Sequence, residues 1–404
     1  MNKNNSTISA DRIQPRKFDL FVGMDVDKKS IVTTILDEDK MIKSQKFPYD
    51  PDNIMKYFSR NYSDKRIAFV YEAGPTGYGL YDKLTNGGYP CLVASAANVP
   101  IIPGSRVKTN RLDSVKLAES LRGGQIKGIR VPRGIYRTLR HLVHMRDTFV
   151  RQSSATKCRI KALLLMEGLP FPPAPPNSQW SYAVLRALST NKIYQDIRFK
   201  LDRLLETLEF MHKQVINTQR EIRKICKTDA DILESINYLK SIPGIGWIIA
   251  SEMIIRIGDW RLLKNVRELG AFLGLTPCED STGEKERKGN ITKNGSERLR
   301  NKLIEGSWAA IRKDGELAEF YRNVYQRHPK DRAARKAIVA VARKLTCRIY
   351  RVLKDRRFYE IRLSGGKDKK INNSGMKGHF ALGDDSTLCR TTSANNVLVG
   401  SSER

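Results

Sequence analysis

Cysteine is scarce in this 404-residue chain. Six residues, Cys91, Cys158, Cys226, Cys278, Cys347 and Cys389, lie far apart, with no CxxC pair and no histidine at zinc spacing. That excludes a disulfide scaffold and a zinc ribbon, and the expectation is of reduced, mostly buried thiols. Histidine is also rare, with five residues; His141 and His144 are one helical turn apart but have no carboxylate companion, which favours surface or phosphate-facing roles over zinc. No run of about 18 apolar residues is present to span a bilayer. The opening MNKNNSTISADRIQPRK has no apolar core of an export signal, so a soluble, cytoplasmic protein is expected. Acid is in deficit: 43 Asp and Glu stand against 73 Lys and Arg, a formal net charge of +30. So large an excess repels itself, which argues against an enzyme for small neutral substrates and for a polyanionic partner. A basic membrane-surface protein is the other class this charge permits.

What is present is enough apolar sequence, 40% of residues, for folded domains. Residues 20–47 hold three β-branched segments broken by DVDKKS and LDEDK, the pattern of an antiparallel meander. The helix-like DNIMKYFSRNY, the strand RIAFVYE, the helix-like YGLYDKLTNGG and the strand PCLVAS follow. A loop rich in Pro and Gly then leads to the helical LDSVKLAESLRGG. A meander followed by strands alternating with helices predicts a mixed α/β sheet of the ribonuclease H type over residues 18–130.

Residues 131–240 change to long helices, with an apolar stripe at Leu201, Leu204, Leu205, Leu208, Met211, Val215, Ile222 and Ile225. The prolines of GLPFPPAPPNSQW break the helical stretch and predict an antiparallel helical hairpin. It either serves self-association or packs only on its own chain. A helical region spans 241–361, opening with SIPGIGWIIASEMII. Gly244 and Gly246 before a helix could expose backbone N–H groups to phosphate, or simply start the helix. Residues 362–404, rich in Gly, Ser and Asn, are expected to be disordered.

Three acids stand at element ends in the first region. Asp25 lies on the first strand in GMDVD, Glu72 closes FVYE before a glycine-rich turn, and Asp113 falls in the first turn of a helix in KTNRLDSVKLAE. Singly, each fits a turn or helix-start role. Together they mark the strands and helix that meet in a ribonuclease H-like sheet, where carboxylates can hold Mg²⁺ for phosphoryl transfer.

From VGMDVDKKS through YEAGPTGY and VKTNRLDSVKLAE to IPGIGWIIASEMIIRIGDW and GLTPCEDSTGEKERKGNITKNGSERLR, the chain resembles the DEDD transposases of insertion-sequence family one-hundred-and-ten, bridge-RNA-guided serine recombinases. The resemblance covers residues 18–350. It implies a RuvC-like domain carrying the acids, a coiled-coil linker and a C-terminal transposase domain carrying a nucleophilic serine. Asp25, Glu72 and Asp113 match the first, second and fourth acids. The third departs: where the family has Lys-Thr-Asp, this chain has Lys108, Thr109 and Asn110. An amide oxygen can ligate Mg²⁺ but adds no charge. The departure reads as a tolerated variant, an inactivated or engineered copy, or a site where another acid substitutes.

By the same resemblance Ser281 is the nucleophile, with Thr282 the alternative. Lys108, Lys285, Arg287, Lys288, Lys293 and Arg298, with the two glycines, are the candidate phosphate contacts; each also fits a solvated basic face. The implied activity is Mg²⁺-assisted cutting and rejoining of DNA through a phosphoserine link, by a homodimer or homotetramer that holds donor DNA, target DNA and a noncoding bridge RNA. A RuvC-like hydrolytic junction nuclease and a catalytically impaired nucleic-acid-binding protein are the alternatives. If Asn110 weakens the metal site, Asn110→Asp should lower the Mg²⁺ concentration needed for activity; an unchanged metal titration would remove the idea.

Overall fold

A computed structural model describes residues 12–95, 99, 109–175, 178–279 and 288–361. The chain divides into two compact units, at Arg133 and Gly134. In the first, β1 (Leu20–Val26), β2 (Ser30–Leu36) and β3 (Met41–Pro48) form the expected antiparallel meander, while β4 (Ile67–Glu72) and β5 (Cys91–Ala94) add in parallel on the other side of β1, giving the order β3-β2-β1-β4-β5. This is the mixed five-stranded sheet that the strand and helix pattern predicts.

Both faces of the sheet are covered. On one, Val22, Met24, Phe69 and Tyr71 pack with Ile54 and Phe58 of α1 (Pro51–Asn61) and Leu80 and Leu84 of α2 (Gly79–Asn86). On the other, Phe21, Ala68, Val70 and Leu92 pack with Leu117, Ala118 and Leu121 of α3 (Asn110–Arg122). Asp50 caps α1 by accepting from the N–H groups of Asp52 and Asn53, and Thr109 caps α3 by accepting from Leu112. Gly23 decides how close α3 comes. A Cβ there would stand 2.2 Å from the carbonyl oxygen of Ser114 and 2.4 Å from the backbone nitrogen of Ala118. Beside this approach the hydroxyls of Thr34 and Ser114 form a buried 2.8 Å hydrogen bond, which sets the helix against β2 as well.

Among its described residues the second unit is helical apart from the two-stranded ribbon of β6 (Pro277–Glu279) and β7 (Lys288–Ile291). The helices α4 (Gly134–Met166) and α6 (Arg198–Lys227) run antiparallel: Leu139 and Val143 share a core with Ile222 and Cys226, while Ile160, Leu163 and Leu164 share another with Leu201 and Leu208. α5 (Tyr182–Thr190) closes the far end, its last carbonyls capped by the Arg198 guanidinium at 2.6–2.8 Å. The near end is built into one large core with α7 (Ala230–Lys240), α8 (Trp247–Ile257), α9 (Val266–Leu273), α10 (Glu297–Lys313), α11 (Gly315–Gln326) and α12 (Lys330–Asp355).

One expectation is corrected. Of the five described cysteines only Cys91 and Cys226 are buried; Cys158, Cys278 and Cys347 are exposed, so burial is not the rule for the thiols. Cys158 and Cys347 lie on the outer faces of amphipathic helices, where size and polarity place few demands. Burial pushes the Cys91 thiol pKa far up. The expected disordered tail, 362–404, lies outside the described residues. Among the described residues no helix is long and apolar enough to cross a membrane.

Gly23→Ala should destabilise the first unit by about 1–3 kcal/mol or more, because the opposing atoms are backbone and cannot rotate away. Denaturant unfolding would check this, and an unchanged midpoint would show that α3 is free to shift.

Candidate active site

The strand register places the first two acids. β1 and β4 are parallel, with Met24 opposite Tyr71, so the next residues on each strand are Asp25 and Glu72. Since Met24 and Tyr71 face α1 and α2, alternation turns Asp25 and Glu72 to the α3 side. Both stand at the carboxyl ends of neighbouring parallel strands, the edge where open α/β sheets hold their ligands. Asp25 is half-buried opposite Val32 of β2, and Glu72 is exposed opposite Ala94 of β5.

Helix α3 delivers the other two positions to the same side. Ser114, Leu117, Ala118 and Leu121 form its sheet-facing stripe, and Asn110 lies one turn before Ser114 on that stripe. Asp113, half-buried in the same first turn, donates its backbone N–H to the Thr109 carbonyl at 3.0 Å. The close approach at Gly23 therefore brings the start of α3 over the end of β1. Asn110 donates from Nδ2 to Oδ2 of Asp27 at 2.7 Å. A carboxylate is an acceptor only, so the amide must turn its nitrogen to Asp27 and its oxygen elsewhere.

Asp27 thereby joins this edge as a further acid. Its signal is the spacing Asp25-Val26-Asp27: two acids two apart on an extended segment share a face. The donors available at this edge are carboxylate and amide oxygens, the chemistry of a hard divalent cation. Among the described residues, no three acid, histidine or cysteine side chains are drawn together as a ready metal cage. The donor types fit a divalent cation; a closed coordination sphere would require side-chain adjustment.

The remaining candidates belong to the second unit or lie outside the described residues. Ser281, Thr282, Lys285 and Arg287, and Lys108 in the first unit, are outside. Lys288 opens β7 opposite Glu279. Lys293 is exposed with φ 56°, and its carbonyl accepts from the buried Arg300, which also reaches the Leu273 carbonyl. Gly244, at φ 84°, is explained by packing: a Cβ there would stand 2.1 Å from the Gly306 carbonyl oxygen in α10. Gly246 is the N-cap of α8, exposed and with open space around its Cα. His141 and His144 are both exposed.

Arg298 does not stand alone on a basic face. Its guanidinium bonds to Asp147, which lies on α4 and is 7% exposed. Asp147 also accepts from Arg256 at 2.9 Å, with Arg146 and Lys302 within 4 Å. The buried Glu252 on α8 holds Arg256 at 3.0 Å and also Lys302. Two buried acids thus bind four bases from α4, α8 and α10. Alongside, Arg140 of α4 donates to the Ile255 and Arg256 carbonyls, capping α8. A single acid among the bases of HLVHMRDTFVRQ was the available sign of this lock.

Comparison with known proteins adds a second line. The sequence model of the IS110 DEDD transposase matches residues 22–167, and that of the Transposase IS116/IS110/IS902 family matches residues 236–322. The two stretches cover more than half of the chain. The chain belongs to the IS110 family of DEDD transposases. The DEDD match implies a ribonuclease H-like fold for the sheet of the first unit. Among relatives, the y4qE transposase of Sinorhizobium fredii is 31% identical over 247 residues, 60% of this chain and 58% of its own length. The chain thus spans under two thirds of that relative. The transposase for insertion sequence element IS1533 of Leptospira borgpetersenii is 24% identical over 72% of this chain and 84% of its own length. The transposase for IS1111A of Coxiella burnetii is 24% identical over 64% and 69%. Asp25, Glu72, Asn110 and Asp113 fall within the DEDD match, and Ser281 within the other.

Removing Asp147 leaves several part-buried cations without their counter-charge. Asp147→Ala should cost the second unit about 3–5 kcal/mol. Urea unfolding would measure it, and a loss under 1 kcal/mol would mean the lock is solvated and weak.

Proposed function

We propose that this protein cuts and rejoins DNA as the transposase of an insertion sequence, with Ser281 as nucleophile and Thr282 as the alternative. The observation that supports the reading is the strand register that sets Asp25 and Glu72 at the carboxyl ends of two neighbouring parallel strands, on the face where α3, with Asn110 and Asp113 in its first turn, packs. It is supported by the two family matches, which take in the acids and the serine separately.

In this mechanism the Ser281 hydroxyl oxygen attacks a DNA phosphodiester. A serine–phosphate bond forms, a phosphorus–deoxyribose oxygen bond breaks, and the leaving oxygen takes up a proton. The hydroxyl proton passes to a base or water as the new bond forms. Because one phosphoester replaces another, rejoining to a new deoxyribose hydroxyl needs no ATP. Asp25, Glu72 and Asp113, beside Asn110, would hold Mg²⁺, which would supply charge neutralisation at phosphate. Lys108, Lys285, Arg287, Lys288 and Lys293, with the α8 N-terminus at Gly246, contribute phosphate contacts, whereas Arg298 is held by Asp147.

Strand exchange joins two DNA partners and calls for at least two active sites, hence a homodimer or homotetramer. The outer end of the α4/α6 hairpin suits self-association as a coiled-coil linker: Leu165, Met166, Tyr182 and Phe199 there are 69–82% exposed. Family membership further suggests a bridge RNA that pairs with donor and target DNA. The net charge of +30 suits backbone binding to both nucleic acids.

Incubation of the protein with guide RNA, DNA and Mg²⁺, followed by a denaturing gel, should show a covalent protein–DNA adduct that Ser281→Ala abolishes. Cleavage persisting in Ser281→Ala would favour the hydrolytic junction nuclease, and no cleavage with any divalent metal would favour a non-catalytic nucleic-acid-binding protein. Nucleic-acid affinity should fall by about 0.9 log units per log unit of salt for each phosphate neutralised.

A further inference from the structure

The third acid of the DEDD set is an amide in this chain, and the structure shows what that amide does. Asn110 Nδ2 donates to Asp27 Oδ2 at 2.7 Å across 83 residues of sequence. Asp27 follows directly on β1, and its N–H still bonds to the Ser30 carbonyl at 2.9 Å, so the extended alternation continues through it. Asp25 and Asp27 therefore share the face that α3 covers. The contact with Asn110 confirms the direction of Asp27, since Asn110 belongs to the sheet-facing stripe of the helix.

We infer that Asp27 carries the negative charge that position 110 lacks, and that Asn110 is a positioning residue that holds the Asp27 carboxylate at the metal-binding edge. The inference rests on the reading of that edge as a divalent-cation site. Charge and hydrogen bonding both favour the division of labour. An aspartate at 110 would set two carboxylates within hydrogen-bond distance of each other, and without a cation between them they repel. The amide instead ties the first turn of α3 to the β1–β2 turn and leaves the remaining lone pairs of the Asp27 carboxylate as hard oxygen donors.

The test is Mn²⁺ binding to the full chain, followed by loss of the free-ion electron paramagnetic resonance signal, with thermal unfolding recorded for each variant. Asp27→Asn should weaken Mn²⁺ binding about 10- to 100-fold. The swap Asp27→Asn with Asn110→Asp, which reverses the hydrogen bond and restores the charge, should recover wild-type affinity. Asn110→Ala keeps the carboxylate but frees it, and should weaken binding less than Asp27→Asn does. Equal binding by wild type and Asp27→Asn would overturn the inference, as would a swap no better than Asp27→Asn, or a larger loss in Asn110→Ala, which would make the amide itself the ligand. If wild type takes up no Mn²⁺, the metal reading of the edge fails as well, a result distinct from wild type and Asp27→Asn binding alike. Should Asp27→Asn unfold, the swap is compared with wild type alone: equal Mn²⁺ affinity supports the inference, and a loss of about 10-fold or more in a folded swap overturns it.

Discussion

The first unit depends on one backbone-to-backbone approach, the seating of α3 on β1 at Gly23. With atoms of Ser114 and Ala118 inside ordinary contact distance of any Cβ at that position, hydrogen is the only side chain that fits. The Thr34–Ser114 hydrogen bond then fixes rotation and height of the helix on the sheet. Asp113 and Asn110 occupy the turn before Ser114, so their positions follow from that seating. The acid edge is thus assembled by van der Waals exclusion and one buried hydroxyl pair, and its own like charges, which oppose assembly, are held in place by packing elsewhere.

The 43 acids of this basic chain serve different ends. Asp25 and Glu72 stand at the carboxyl ends of β1 and β4, Asp27 just past β1, and Asp113 in the first turn of α3. Asp147 and Glu252 are spent internally, binding four bases that would otherwise repel within the helical core. Others cap helices, as Asp50 does for α1 and Asp229 for α7. Asp19, paired with Arg66 at 2.7 Å, joins the starts of β1 and β4, and its carboxyl pKa is lowered to about 2 by the guanidinium and the Arg66 backbone N–H. The net charge seen by a partner is therefore carried by bases that these contacts leave over.

Much of this was legible in the order of residues. Alternation in LFVGMDV and SIVTTIL predicts strands because one face must be buried, and the meander follows from the short turns between them. Asp25, Glu72 and Asp113 were visible because element ends can be read from breaks in periodicity. Asp27 is not legible locally, because its partner lies 83 residues away and a turn acid beside two lysines has the pattern of solvated surface. Asp147 escaped for the same reason: nothing local reveals that α8 and α10 bring Arg256, Arg298 and Lys302 to it. Gly244 has a tight packing role against Gly306 that its sequence does not reveal, because a Pro-Gly turn reads the same whether or not a helix lies against it.

Gly244 and Gly306 restrict each other. A Cβ on the first would stand 2.1 Å from the carbonyl oxygen of the second, and a Cβ on the second 2.6 Å from that of the first. Neither position offers the other any slack, so a change at one is not relieved by any side chain at its partner. Sequence drift in this part of the molecule must pass around the two positions, leaving the turn before α8 and the middle of α10 anchored while the surrounding surface is free to change its charges.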